Sequence, residues 1–276
     1  GPIPAVGMQN ESIPYVDVFE MKVKPNLTGQ EFINKCMQDL NDAISLLSAH
    51  KSVNYGIADP FKSHTRNHLN YWAANGLKAR ISLYVGDKST ALQSARVVID
   101  NAALFPFIQR NNLAGTAPNR TFLSEQLFGI YIPTLKDIND GLFRSSSGSS
   151  VLTNKESFFT EVYESSSTDF RKIFLFNTDG TTSQLYPVKY YTDDIQTDLL
   201  NTKRVPLLRL SEVCYIAAEA SVDPIEKIKY LNLVRTNRGL GSLSNDLIES
   251  QIELEIFKEY RKEFYQEGQL FFSYKR

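Results

Sequence analysis

Apolar side chains recur at steps of three and four along several stretches of this chain, the spacing of a single buried helix face. Phe32, Ile33, Cys36, Met37, Leu40, Ile44 and Leu47 form the first stripe, and Thr28 with Glu31 ahead of it has the form of a capping box. Leu69, Trp72, Ala73, Leu77, Ile81 and Tyr84 predict a second helix over roughly 67–85. After a tight turn at Gly86-Asp87, Ala91, Ala95, Val98 and Ile99 mark a third. Beyond Pro206, a helix turns Leu210, Val213, Cys214, Ala217 and Ala220 inward, and Asp223-Pro224 opens the next as cap and first-turn proline. The last strong stripe is Ile252, Ile256, Phe257, Tyr260 and Phe264, with Gly268 as its stop. Its opposite face carries Glu255, Lys258, Glu259, Lys262 and Glu263, which reads as a solvated charged face.

Two regions lack this period. Residues 1–28 are broken by prolines and offer only Tyr15–Phe19 as a short strand. Residues 104–205 are punctuated by Pro106, Gly115, Pro118, Gly129 and Pro133 and by the polar tract at 145–150. Strand-like runs occur at Leu127–Ile132 and Ile173–Phe176, and less clearly at Pro187–Tyr191. The expectation is a mostly α fold: one domain over 1–276, with a helical frame at 29–103, a long loop-rich insert at 104–205 and further helices at 206–276.

Composition narrows the function classes. The chain has 276 residues with 30 basic and 31 acidic side chains, so no global field recruits nucleic acid or anionic lipid. The 17 Phe and 14 Tyr suit surfaces that stack on sugar rings as well as a core. Within the insert, Phe143, Arg144, Tyr163, Tyr186, Tyr190 and Tyr191 are the candidate ligand-binding residues, aromatic faces for sugar rings and an arginine for hydroxyls. At any one of these positions the plainer reading is a plug for the helical layer beneath. Trp72 lies inside an apolar stripe and reads as core. His64 and His68 lack the further ligands a structural zinc needs, so no metal or cofactor is expected. Cys36 and Cys214 read as buried free thiols, with a disulfide left open. No nucleophile elbow, phosphate loop or dinucleotide fingerprint occurs, and the acidic residues do not separate into a catalytic pair, so a non-enzyme is expected.

Several segments resemble known patterns. The Gly86-Asp87 turn, flanked by Ala79 and Ala91, resembles one tetratricopeptide (TPR) unit, where small residues let two antiparallel helices approach closely. Pro206, Arg209, Glu212, Ala218, Glu219 and Ala220 stand as in the Pro-x-x-Arg-x-x-Glu…Ala-Glu-Ala pattern of the SusD/RagB family. Leu231-Asn232-Leu233-Val234-Arg235-Thr236-Asn237-Arg238-Gly239-Leu240 resembles that family's Leu-Asn-x-Val-Arg-x-Arg-Ala-Gly-Leu, with Asn237-Arg238 in place of Arg-Ala. The helix at 255–267 and the aromatic segment after Gly268 resemble its carboxy-terminal signature. Thr168-Asp169-Phe170-Arg171 is similar to its Asp-Pro-Arg element, with Phe170 for Pro, and Arg171 reads as structural.

The resemblance implies a SusD-like fold and a nutrient-binding lipoprotein on the outer face of the outer membrane in Bacteroidetes. Such a protein captures a nutrient, usually a glycan, and partners a SusC-like TonB-dependent transporter. It touches the membrane through an amino-terminal lipid anchor absent from this sequence. The sequence also reads as a truncated member, shorter at both ends than typical ones. The alternative is a TPR-type scaffold that binds a partner peptide between its helices.

Overall fold

The structure is a computed structural model that describes residues 7–53, 65–115, 117–144, 151–155, 157–178, 180, 185–191 and 203–275. Eleven α-helices occur among these residues: α1 (Gly29–Leu47), α2 (Tyr71–Tyr84), α3 (Lys88–Ile99), α4 (Arg110–Leu113), α5 (Leu135–Phe143), α6 (Phe158–Tyr163), α7 (Phe170–Phe174), α8 (Leu210–Ala220), α9 (Pro224–Thr236), α10 (Glu249–Glu263) and α11 (Leu270–Lys275). Among the same residues, six short strands pair as three antiparallel ribbons: β1 (Glu11–Pro14) with β2 (Asn26–Thr28), β3 (Gln126–Tyr131) with β6 (Arg204–Arg209), and β4 (Phe176–Thr178) with β5 (Leu185–Pro187). The mostly α expectation is met.

The capping box forms as the sequence predicts. The Glu31 backbone N–H donates to the Thr28 hydroxyl at 3.2 Å, and the Thr28 N–H donates to the Glu31 carboxylate at 2.8 Å. Helix α2 begins four residues later than its stripe suggests, because Asn70 caps it by accepting from the Trp72 and Ala73 N–H groups. Leu69 therefore falls outside the helix and is 65% exposed. Trp72 is in the core, its indole N–H donating to the Lys51 carbonyl at 2.9 Å.

Helix α8 is the axis of the frame. All of its residues except Glu219 are buried, and it packs against α3, α9, α2 and α10. Ala73, Ala79, Ala91, Ala95, Ala217 and Ala218, all without exposed surface, let these helices lie close. The β3–β6 ribbon runs along α2, where a side chain at Gly76 would meet Leu127, Leu208 and Val213. A second cluster gathers Ile108, Leu113, Phe122, Val162, Tyr163, Leu175 and Phe176 under the insert.

Three strand expectations are corrected. Residues 15–19 are not a strand; β1 and β2 on either side find each other, while Val16, Val18 and Phe19 stay exposed. Ile173 belongs to α7, and only Phe176 onward is extended, because Asp169 caps a helical turn there. The ribbon strand β5 ends at Pro187, where the predicted run begins. Residues 204–209, ahead of α8, pair with β3 as strand. Cys36 is half-buried and Cys214 buried, and both are free.

Candidate functional site

Helix α5 carries the insert's exposed chemistry. Leu135, Ile138 and Leu142 recur along it, so it presents one apolar face, and Lys136, Asp140 and Arg144 lie at steps of four on another. Asp140 pairs with Lys136 at 2.9 Å and with Arg144 at 3.6 Å. The Arg144 guanidinium lies 4.4 Å from the Tyr191 ring centre and 5.2 Å from that of Tyr186, while the Lys136 ammonium is 5.4 Å from Tyr191. These are cation–π distances, and all four residues keep part of their surface in solvent. Burial disfavours the Arg144 charge, but the Tyr191 and Tyr186 hydroxyls and Asp140 outweigh it and raise its pKa.

Beside this cluster lies a hollow of about 300 Å³ between α5, the β6 strand and the turn after α10. Its walls include Ile132, Leu135, Ile138, Leu142, Phe143, Tyr190 and Val205, with Asn139 and Gln266 as its polar members. Tyr190 is 6% exposed and donates its hydroxyl to the Gln266 carbonyl at 3.2 Å, which seats its ring in the wall.

The structure thus brings five of the six nominated residues together: Arg144, Tyr186 and Tyr191 in the stacked cluster, Phe143 and Tyr190 in the adjoining hollow. Tyr163 is the exception and a correction. It has no exposed surface, its ring packs against Phe158, Phe159 and Phe176, and its hydroxyl donates to the Lys262 carbonyl at 3.1 Å. It is a core plug. Sequence reasoning missed Asn139, Gln266 and Lys136, although the steps of three and four at Leu135, Ile138 and Leu142 were the signal for a two-faced helix there.

The charged face expected on α10 is the larger correction. Glu259 and Glu263 have no exposed surface and Lys262 is 2% exposed. Glu263 receives three arginines: Arg209 at 2.6 Å, Arg238 at 2.7 Å and Arg171 at 3.0 Å. Arg171 also pairs with Asp169 at 2.7 Å and Glu259 at 2.8 Å, and Arg238 with Glu125 at 2.6 Å. Arg209 and Lys189 share Glu267. Phe122, with φ of 54°, places its ring under Arg238 and Arg209, 4.5 Å and 5.1 Å away.

Arg209 and Glu212, three apart in the sequence, do not pair with each other: Arg209 joins this junction, and Glu212 takes Arg80 through two bonds of 2.6 and 2.7 Å. Burial raises the Glu263 pKa, but Arg238, Arg209 and Arg171 outweigh it and hold the carboxyl well below the usual range. Both departures from the family pattern have a role here. The Phe170 N–H, which a proline would lack, donates to the Arg238 carbonyl at 2.8 Å. Arg238 itself, where the pattern has alanine, is central to the junction.

Every charge in this junction is paired and closed off from solvent, so it fixes the insert (Glu125, Asp169, Arg171, Lys189) to the carboxy-terminal helices. Among the described residues no group of three or more His, Cys, Asp or Glu could hold a metal ion. His68 is exposed, and His64 lies outside the described residues. No helix among the described residues is long and apolar enough to cross a membrane.

Residues 142–276 match the SusD family. The resemblance read from the carboxy-terminal motifs is borne out. It extends to the whole chain in structure. A SusD superfamily protein from Bacteroides thetaiotaomicron superimposes with a TM-score of 0.73 at 20% identity, covering 99% of this chain and 61% of that one. A SusD-like carbohydrate binding protein from Bacteroides vulgatus gives 0.71 at 18% identity, over 95% and 56%. Surface glycan-binding protein A from Bacteroides uniformis gives 0.69 at 19% identity, over 96% and 61%. At these identities the likeness is one of fold. The chain spans about three fifths of the length of such SusD structures. No curated protein matches the chain.

Proposed function

We propose that this SusD-like protein binds a nutrient, a glycan in the first instance, at the cell surface and passes it to a SusC-like TonB-dependent transporter. It would sit on the outer membrane through a lipid anchor, with residues 1–276 acting as one unit and no covalent chemistry of its own. The observation that carries this reading is where the Arg144–Tyr186–Tyr191 cluster falls: inside the segment that matches the SusD family, on a fold shared with proteins named for glycan and carbohydrate binding. Half-exposed aromatic faces and a cation beside an apolar hollow are what a sugar ring needs, stacking for its C–H face and hydrogen bonds for its hydroxyls.

The second reading, a peptide-binding TPR scaffold, has less support. The TPR-like pair α2–α3 is covered by α8, whose side chains fill the space a peptide would use.

Protease shaving of intact cells expressing the full-length protein, with metabolic lipid labelling, tests the location. Loss of a lipid-labelled protein on shaving is the expected result; a protected, unlabelled protein would end the surface reading. Titration of the protein with a glycan panel tests the ligand, and co-purification from detergent-solubilised outer membranes tests the transporter.

A further inference from the structure

The hollow beside Arg144 has features that its apolar walls do not account for. Asn139 is 2% exposed and its Nδ2 has no hydrogen-bond partner; Gln266 Oε1 is likewise buried without one. The two amides touch only through Gln266 Nε2 and Asn139 Oδ1 at 3.5 Å, the limit of a hydrogen bond. In either of the two orientations that keep this bond, one amide donor group and one amide oxygen are left over. A buried amide group left unpaired is costly, and native proteins seldom keep one without a use.

Gln266 is also held in an uncommon conformation. Its φ is 64°, in the left-handed region that non-glycine residues rarely occupy. The surroundings enforce it: Tyr190 bonds its carbonyl, and on either side the Lys189 ammonium bonds the Tyr265 carbonyl and pairs with Glu267. Strain of this kind, locked by neighbours, clusters at ligand sites.

We infer that this hollow is an acetamido subsite, and that the ligand is a glycan containing N-acetylated amino sugars. A secondary amide offers one carbonyl acceptor and one N–H donor, the complement of what Asn139 and Gln266 leave over. Its methyl group needs an apolar wall, which Leu135, Ile138, Phe143 and Val205 supply. A hydroxylated ring fits worse, because most of its hydroxyls would face hydrocarbon without partners. The sugar ring itself stays outside, against Tyr191 and Arg144. This inference rests on the glycan-binding reading above and names the ligand class for it.

The test is saturation-transfer NMR and calorimetric titration of the protein with three probes: di-N-acetylchitobiose, its de-N-acetylated form, and cellobiose. N-acetylgalactosamine serves as a second acetylated probe. The expected result is the strongest saturation on the acetyl methyl and at least about tenfold tighter binding of acetylated over de-N-acetylated sugar. Asn139→Leu abolishes that preference, and so does Ile138→Trp, which fills the hollow from a half-exposed position while both amide side chains are retained. Equal binding of acetylated and unacetylated probes, or a preference that survives Ile138→Trp in a protein with an unchanged melting profile, overturns the subsite and leaves the glycan reading standing. Silence toward a full glycan panel, acetylated and neutral alike, removes that reading and this inference with it.

Discussion

Arginine meets aromatic rings and carboxylates in two regions of this molecule. At the junction around Glu263, Arg171, Arg209 and Arg238 are wholly enclosed and every charge has an opposite within 3.0 Å. On the insert, Arg144 leans on Tyr186 and Tyr191 with a third of its side chain in water and only a 3.6 Å pairing to Asp140. The residue types are the same, but the consequences differ. In the junction, water is absent and attraction between charges is strong, so removing one partner strands the others. On the insert, solvent screens the contacts and each can be exchanged for a ligand at small cost. Completeness of pairing, together with access, separates a fastening from a binding surface.

The largest test of that contrast is Glu263→Gln. It leaves three buried arginines short of a partner and should cost about 3–5 kcal/mol of folding stability, measured by denaturant unfolding. A loss below about 1 kcal/mol would mean that the junction is not what ties insert to frame. Next is Gly239→Ala. Gly239 has φ of 79°, and an added methyl there would collide with the Thr168 carbonyl and the Phe170 ring. A loss of about 1–3 kcal/mol is expected, from strain and a displaced α7 together.

Acid should separate the regions as well. The folded-state pKa values of Glu263 and Glu259 lie below the ordinary 4.5; burial opposes this, but the arginines and Lys262 prevail. Their contribution is therefore full above the unfolded-state pKa and is lost as pH falls through the folded value. Melting temperature should drop steeply between about pH 5 and pH 2, and Glu263→Gln should flatten that drop. Glu164, held at about 2 against burial by Lys258 and Lys262, has a half-exposed side chain. Replacing it with Gln should change the acid profile little.

The smallest effect on stability belongs to the insert. Arg144→Ala should shift unfolding by no more than about 1 kcal/mol, yet weaken glycan binding by about tenfold in titration. An equal fall in stability would turn the cluster into a second fastening.

The long stripes were legible because a helix face is a local property. Thr28 and Glu31 lie three apart and can be read as a box without knowing anything else about the chain. The insert's short helices were harder. Residues 170–174 are helical because Asp169 caps them and the Arg238 carbonyl receives the Phe170 N–H, and that carbonyl is remote in sequence. Five nominated site residues did fall together, but Tyr163 shows the limit of nominating by type. An aromatic ring looks the same whether it faces a ligand or Phe176.

The sequence by itself determined the helical frame, the caps at Thr28 and Asp223, and the motifs that match the SusD family, since each rests on spacing within a few turns of chain. The tertiary structure alone decided which charges are buried. Glu259, Lys262 and Glu263 carry no local mark that distinguishes them from a solvated helix face. The arginine partners of the two carboxylates, Arg171, Arg209 and Arg238, come from three separate segments, and only folding brings these close enough to exclude water and make the pairing obligatory.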